Sequence, residues 1–400
     1  MTTSCPPSAA PEMRVLFIAT KAPFPTSDGG RLLMWHTLRE LYSRGHRVTF
    51  VAPDLGATRQ GAVESIARFC RPRLVPCRPG QLLPSMIRAQ LTRQPMSILR
   101  HTHKALHQVI GEELDQQEFD VIHAEQVQSI FNIPDRPGRP PIVLRAQNVE
   151  SHLWRMVGSV RPRFGWIAHG EARKMAAAEA RAVRTASTTV ALTRGDGEAL
   201  AGGSGMRANR IHIIPPPFPS DLSTGSEELA GTPPLLLLGG GWLPNRDSIS
   251  WFFDSIWDDV RRENPLAHAH VFGSDGSPSA PATSWHPSPS DSRHIFWSRA
   301  ILVVPLRIAS GIRMKIIEAW ARGIPVVATP EAARGLEARD GRELLLARDG
   351  HEFSAAVRRL VEEPGLRKQL TTAGRNMVAT RHDPARIVSL LEETYRAAQR

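Results

Sequence analysis

The sequence predicts an α/β fold made of two similar parallel-sheet units, and three observations predict it. Short apolar strands without polar alternation recur between helical stretches, which marks a parallel sheet covered on both faces. The pattern stops at Pro215-Pro-Pro-Phe-Pro219 and restarts at Leu235-Leu-Leu-Leu238. The chain has 400 residues, more than one ordinary core holds.

The elements follow in order. Residues 1–12 are rich in Pro, Ser, Thr and Ala and lack the basic start and apolar centre of an export signal. They read as a disordered leader. The first unit is expected over 13–215, with strands at 14–20, 47–52, 120–123, 141–145, 188–193 and 211–214. A helix is expected from Gly30 to Arg44 and an Ala-rich one from Ile167 to Thr185. Residues 216–233, dense in Pro, Ser and Gly, form the linker. The second unit, 234–384, has strands at 235–238, 268–273, 301–304 and 324–329 and helices at 248–262, 351–360 and 365–379. Residues 276–292 are Ser/Pro-rich and read as a loop where a strand and helix would otherwise stand. A last helix, 385–400, is placed to pack back on the first unit.

Composition narrows the class. Hydrophobic residues make up 41% and charged ones 22%, as in globular proteins. No apolar run approaches the ~20 residues that span a bilayer. The three cysteines are odd in number and lack metal-site spacing, so free thiols in a reducing cytoplasm are expected. The net charge of +11 lies wholly in the first half: residues 1–220 hold 28 Lys+Arg against 17 Asp+Glu, and residues 221–400 hold 22 of each. Between Ser65 and Gly111 there are eight Lys/Arg and no acid, interleaved with Leu82, Leu83, Met86, Ile87 and Leu91. Two readings stay open for that stretch: a solvated helix face, or peripheral contact with an anionic membrane at its inner face. Nucleic acid is not expected as a partner, because no recognition motif accompanies the charge.

The chemistry concentrates in Ser310-Gly-Ile-Arg-Met-Lys315-Ile-Ile-Glu318, which follows a strand and opens a helix. A strand, Gly-containing loop and helix present backbone N–H groups to a phosphate. Arg313 and Lys315 put two cations where the helix dipole favours anions, an arrangement that a bound diphosphate would relieve. The alternative is an exposed Lys315–Glu318 helix pair.

The run from Pro305 to Thr329 resembles the donor-site signature of glycosyltransferase family 4, or group 1, in a branch with Gly-x-Arg-x-Lys before the Glu. Supporting stretches are Arg14 to Pro53, Leu144-Arg-Ala-Gln-Asn-Val-Glu150 and Gly241-Trp-Leu-Pro-Asn245. The resemblance implies a GT-B fold, two Rossmann-like domains with parallel sheets facing across a cleft. It implies a retaining enzyme that moves a sugar from a UDP- or GDP-sugar co-substrate to a saccharide, lipid-linked or small-molecule acceptor, with no metal or cofactor. It places Ser310, Gly311, Ile312 and Glu318 on the donor, with Gly241 and Arg246 near its phosphates. Arg313 and Lys315 would neutralise the departing diphosphate. Ser310 stands where the family carries a Glu, Gln147 where the branch carries a His, and Glu125 where many relatives carry a second His.

In the first unit, Asp28-Gly29-Gly30 forms a loop open to phosphate or acceptor. His123, Glu125, Arg145, Asn148 and Glu150 sit at C-terminal strand ends, where ligands of parallel sheets gather. Glu125 and His123 are expected to orient the acceptor. Two alternatives are a nucleotide-sugar epimerase on the same fold and a non-catalytic, basic lipid-binding protein.

Overall fold

A computed structural model describes residues 12–56, 60–78, 82–226, 228–240, 243–273, 280–289 and 291–400. Its strands are β1 (Arg14–Ile18), β2 (Arg47–Asp54), β3 (Arg71–Pro76), β4 (Val121–Glu125), β5 (Ile142–Ala146), β6 (Thr188–Ala191) and β7 (Ile211–Ile213), then β8 (Pro234–Leu238), β9 (His268–Phe272), β10 (Thr283–His286), β11 (Ile301–Val304), β12 (Val326–Ala328) and β13 (Leu345–Leu346). They form a seven-stranded sheet ordered β3-β2-β1-β4-β5-β6-β7 and a six-stranded sheet ordered β10-β9-β8-β11-β12-β13. Every strand pairing in both is parallel.

The apolar runs behave as two-sided burial requires. Val15 and Phe17 enter one core, and Leu16 and Ile18 the other. Each such side chain, once fully buried, stabilises the fold by roughly 1.5–3 kcal/mol. The helix Pro384–Ala398 closes one face of the first sheet, putting Ile387, Val388, Leu391 and Tyr395 beside Val15, Phe17, Val121 and Val143. Apolar clusters join the two units: Leu153, Val157 and Ala168 of the first pack on Ile308 of the second, and a larger cluster lies beside them. Leu32, Leu33 and Leu192 of the first pack with Phe218, Leu306, Ile312, Met314 and Ile316.

Two expectations change. The segment 276–292 contains a strand, β10, paired in parallel with β9 at the sheet edge. Its four residues are all half-buried, so the long apolar run that would reveal a central strand is missing. The helix expected at 248–262 is two helices, Leu243–Ser255 and Trp257–Glu263. Strand β3 was not anticipated, because Arg71 and Arg73 lie on its outward face. Both pair with the buried Glu113, so part of the basic stretch is neutralised within the fold. Cys70 and Cys77 are free. Among the described residues no helix is long and apolar enough to cross a membrane.

Candidate active site

The loop after β11 is pressed against the first unit. Gly311 has φ +71°, and a Cβ there would collide with the Gln147 carbonyl oxygen. Only glycine satisfies both the left-handed backbone and the close approach. The Ser310 hydroxyl accepts from Val149 N–H at 3.1 Å and lies 3.2 Å from the Val149 carbonyl, which it can donate to. It therefore joins the two units at the position where the resemblance expects donor contact. The Ile312 side chain is buried in the shared apolar cluster.

The helix Met314–Ala321 starts with the two cations. Lys315 Nζ donates to the Leu238 carbonyl at 3.0 Å and to Asn245 Oδ1 at 3.3 Å. The Arg313 guanidinium folds back on the Ser310 carbonyl. Among the described residues neither forms a salt bridge, although the Asp196 charge acts on Arg313. Burial, and then the positive Arg313, push the Lys315 ammonium down to about 7. Burial also lowers Arg313 to about 10. Two half-buried basic groups thus stand at the C-terminal edge of the second sheet, where Gly240 (φ +129°) continues from β8.

Glu318 is buried and does not pair with Lys315. Its Oε1 accepts from Arg322 Nη2 at 2.8 Å and from the Ser292 hydroxyl. Arg246 lies on the exposed side of its helix. Gly241 falls outside the described residues. Asn245, one residue from Arg246, is the side chain that reaches Lys315. In the sequence it stands only as the last residue of the Gly241-Trp-Leu-Pro-Asn245 stretch, without a role of its own.

In the first unit, Asp28 caps the helix Gly29–Ser43 by accepting from Arg31 N–H at 3.0 Å. It also binds Lys21 Nζ at 2.8 Å. Burial alone would raise its carboxyl, but Lys21 and Arg31 outweigh that and hold it below the ordinary value. Gly29 and Gly30 serve close packing. A Cβ on Gly29 would lie 2.9 Å from the Met314 side chain, and one on Gly30 2.6 Å from Gln147 Oε1.

His123, Glu125 and Arg145 form one buried network. Arg145 Nε donates to Glu125 Oε2 at 2.9 Å, and its Nη1 to the Thr37 hydroxyl at 3.0 Å. The other Glu125 neighbours are His123 Nε2 at 3.1 Å and Gln147 Nε2 at 3.0 Å. The Tyr395 hydroxyl stands 2.7 Å from His123 Nδ1. Burial would raise Glu125, yet Arg145 and then His123 bring it down to about 2. Burial lowers His123 to about 4, so its ring is neutral near pH 7. Neither His123 nor Glu125 is exposed to solvent. Their network extends to the half-buried Gln147, and they do not themselves face solvent where an acceptor was expected. Asn148 borders Gly311. Glu150 is held by the Ser97 hydroxyl at 2.8 Å and by Gln128.

Three groups here had no advance signal as site residues. Asp196 is buried, accepts from the Thr193 hydroxyl at 2.7 Å and lies 3.5 Å from Ser310 Oγ. Asp247 binds Arg307 at 2.8 Å from its own unit and Arg161 at 3.6 Å from the other. Gln126 has φ +71°, a conformation that costs a non-glycine residue about 1–3 kcal/mol. A surface pocket of about 480 Å³, bordered by Glu337, Arg339, Arg342 and Arg381, is lined by none of the expected site residues.

Comparison with known proteins fits this geometry. The family model described as "Glycosyl transferase 4-like domain" matches residues 29–217, and the one described as "Glycosyl transferase-like" matches residues 250–393. No curated protein matches the sequence. Among solved structures, the Anabaena protein HepE in complex with UDP-glucose aligns with TM-score 0.66 and 13% identity, over 96% of this chain and 100% of that one. Sucrose-phosphate synthase from Thermosynechococcus elongatus aligns with TM-score 0.71 and 14% identity, over 96% and 99%. TarM from S. aureus, in complex with Fondaparinux, alpha-GlcNAc-glycerol and UDP, aligns with TM-score 0.67 and 9% identity, over 96% and 99%.

The two sheets therefore make up the GT-B fold. With a glycosyltransferase model on each unit, the chain is a glycosyltransferase enzyme.

Proposed function

We propose that the enzyme transfers a hexosyl or related sugar, with retention, from a UDP- or GDP-sugar to a hydroxyl of a saccharide, lipid-linked or small-molecule acceptor. The observation that carries this reading is the pair Arg313 and Lys315: half-buried basic groups that form no salt bridge among the described residues. Such burial is costly, and a bound diphosphate would offset it. HepE was solved with UDP-glucose and with UDP and glucose, and TarM with UDP, which favours a uridine donor.

In this scheme the bond from the sugar's anomeric carbon to the diphosphate oxygen breaks, and the electron pair leaves on the diphosphate. Arg313, Lys315 and the backbone N–H groups near Gly311 stabilise the charge that develops there. The acceptor oxygen bonds to the anomeric carbon on the same face, and its proton passes to the leaving phosphate. No step calls on a metal. Glu318, fixed by Arg322 and Ser292, takes the ribose, and Ser310 holds the units together while Gly311 and Ile312 shape the loop. Arg246, Gly241, Asp28, Gly29 and Gly30 border the phosphates. Arg145, Glu125 and His123 act as positioning residues through Gln147, with Asn148 and Glu150 on the acceptor side. The unit bounds 13–215 and 234–384, joined by the 216–233 linker, follow this division of labour. The residues of 65–111 left unpaired by Glu113 would rest on an anionic membrane at its cytoplasmic face.

A thermal-shift titration with UDP- and GDP-sugars tests the reading, since a ligand that binds only the folded state raises its stability. One nucleotide sugar is expected to raise the midpoint of the wild-type protein, and Lys315→Ala to abolish the rise. No shift with any nucleotide sugar, or an equal shift in the variant, removes the donor assignment.

A further inference from the structure

Thr20, Gln126 and Gln147 follow β1, β4 and β5, which are neighbours in the first sheet. Their side chains form a chain of hydrogen bonds whose direction is set at one end. Glu125, ionised beside Arg145, can only accept, so Gln147 must turn its amide nitrogen toward it, at 3.0 Å. Gln147 Oε1 then accepts from Gln126 Nε2 at 3.1 Å. That leaves Gln126 Oε1 as acceptor for the Thr20 hydroxyl. Each amide nitrogen keeps one unspent hydrogen, and Thr20 keeps lone pairs. The strip offers donors and acceptors alternately and carries no net charge.

Two further features point to a purpose. Gln126 is held in the left-handed region by its N–H on the Arg145 carbonyl at 2.8 Å and its own carbonyl under the Ser129 hydroxyl at 2.8 Å. Strain of this kind persists where surrounding structure over-determines it, often at ligand clamps. Gly30 has no side chain to cover Gln147. The Gln147 carbonyl also touches Gly311, so the strip adjoins the loop assigned to the donor.

We propose that Thr20, Gln126 and Gln147 form the subsite for the acceptor hydroxyl, and that it takes an uncharged polyhydroxy compound rather than a phosphate or carboxylate. This rests on the glycosyltransfer reading and specifies its acceptor. An alcohol both donates and accepts, which matches the strip. Among the described residues the cations on this side already face carboxylates: Lys21 and Arg31 share Asp28, and Arg145 holds Glu125. Leaving a charge unpaired here is costly.

Saturation-transfer NMR on the donor-free protein tests this, with D-glucose and D-glucose 6-phosphate as probes. Glucose in large excess is expected to give signal, falling about tenfold in Gln126→Gly, which relieves the backbone and removes the amide. Thr20→Val, similar in shape, is expected to weaken it too and serves if the first variant does not fold. The phosphate ester is expected to give no signal that depends on Gln126. Absent glucose signal in the wild type, unchanged signal in both variants, or a Gln126-dependent phosphate-ester signal each overturns the inference. Donor binding is read separately, by the thermal shift with UDP-glucose, so the two assignments fail independently.

Discussion

Two regions of this molecule hold charge in opposite ways. In the first unit, Arg145, Glu125, His123 and Tyr395 satisfy one another inside the sheet. In the second, Lys315 and Arg313 rest on carbonyl and amide oxygens alone. A completed network fixes shape, and an incomplete one keeps affinity for something that is not part of the chain. The contrast separates residues that look alike in the sequence, where both sets are charged groups at strand ends.

The comparison breaks hardest at Arg145. Arg145→Ala leaves Glu125 buried and unpaired, which is expected to cost about 3–5 kcal/mol of stability. Denaturant unfolding measures it, and a loss under 1 kcal/mol would show that Glu125 reaches solvent or protonates cheaply. Lys315→Met should behave in the opposite sense. It removes a desolvated cation, so the melting midpoint is expected to hold or rise, while transfer from the nucleotide sugar falls about 10²–10³-fold. A variant that melts much earlier than wild type would mark Lys315 as structural.

The division between the units also governs what the sequence could reveal. The apolar runs of β1, β4, β8 and β11 are buried on both faces, so composition alone located them. Edge strands β3 and β10 were missed because neither is an apolar run: β3 carries Arg71 and Arg73 on its exposed face, and β10 carries Ser284 and His286 among half-buried residues. The Gly311 loop was legible because glycine and two adjacent cations leave a local pattern. Gln126 and Asp196 were not, since their roles depend on residues more than 20 positions away: Thr20 lies 106 from Gln126, and Ser310 lies 114 from Asp196. His123 and Glu125 read as acceptor-facing because the sequence places a last helix against the first unit but does not show that Tyr395 meets His123 or that Arg145 folds onto Glu125.

The pH dependence sharpens the contrast further. Lys315 is pushed down to about 7 from its ordinary 10.5, and a bound diphosphate would raise it again. Above pH 7 binding must then take up a proton. Donor affinity is expected to be flat below pH 7 and to weaken by up to about tenfold per pH unit above it, until the pKa of the complex is reached. The free protein follows the reverse course. Between about 7 and 10.5 the unfolded chain holds the proton that the folded one has lost, so this group adds stability as pH rises. Calorimetric titration with UDP-glucose in buffers of different ionisation enthalpy reads the proton uptake directly, and none at pH 8 would remove Lys315 from the donor site.

The smallest effect is expected at the far end of the completed network. Tyr395→Phe deletes the hydroxyl that meets His123 Nδ1 at 2.7 Å and leaves the ring packed among Val15, Phe17 and Leu391. With the other ring nitrogen facing Glu125, His123 keeps its main partner, and the loss should be near 1 kcal/mol, the net worth of one hydrogen bond. Because Gln147 takes its orientation from Glu125 and not from Tyr395, acceptor use should be unchanged once the protein is folded. If Tyr395→Phe lowers transfer while the midpoint barely moves, the Tyr395 contact on His123 also helps to set Gln147, and the network is not closed at its far end.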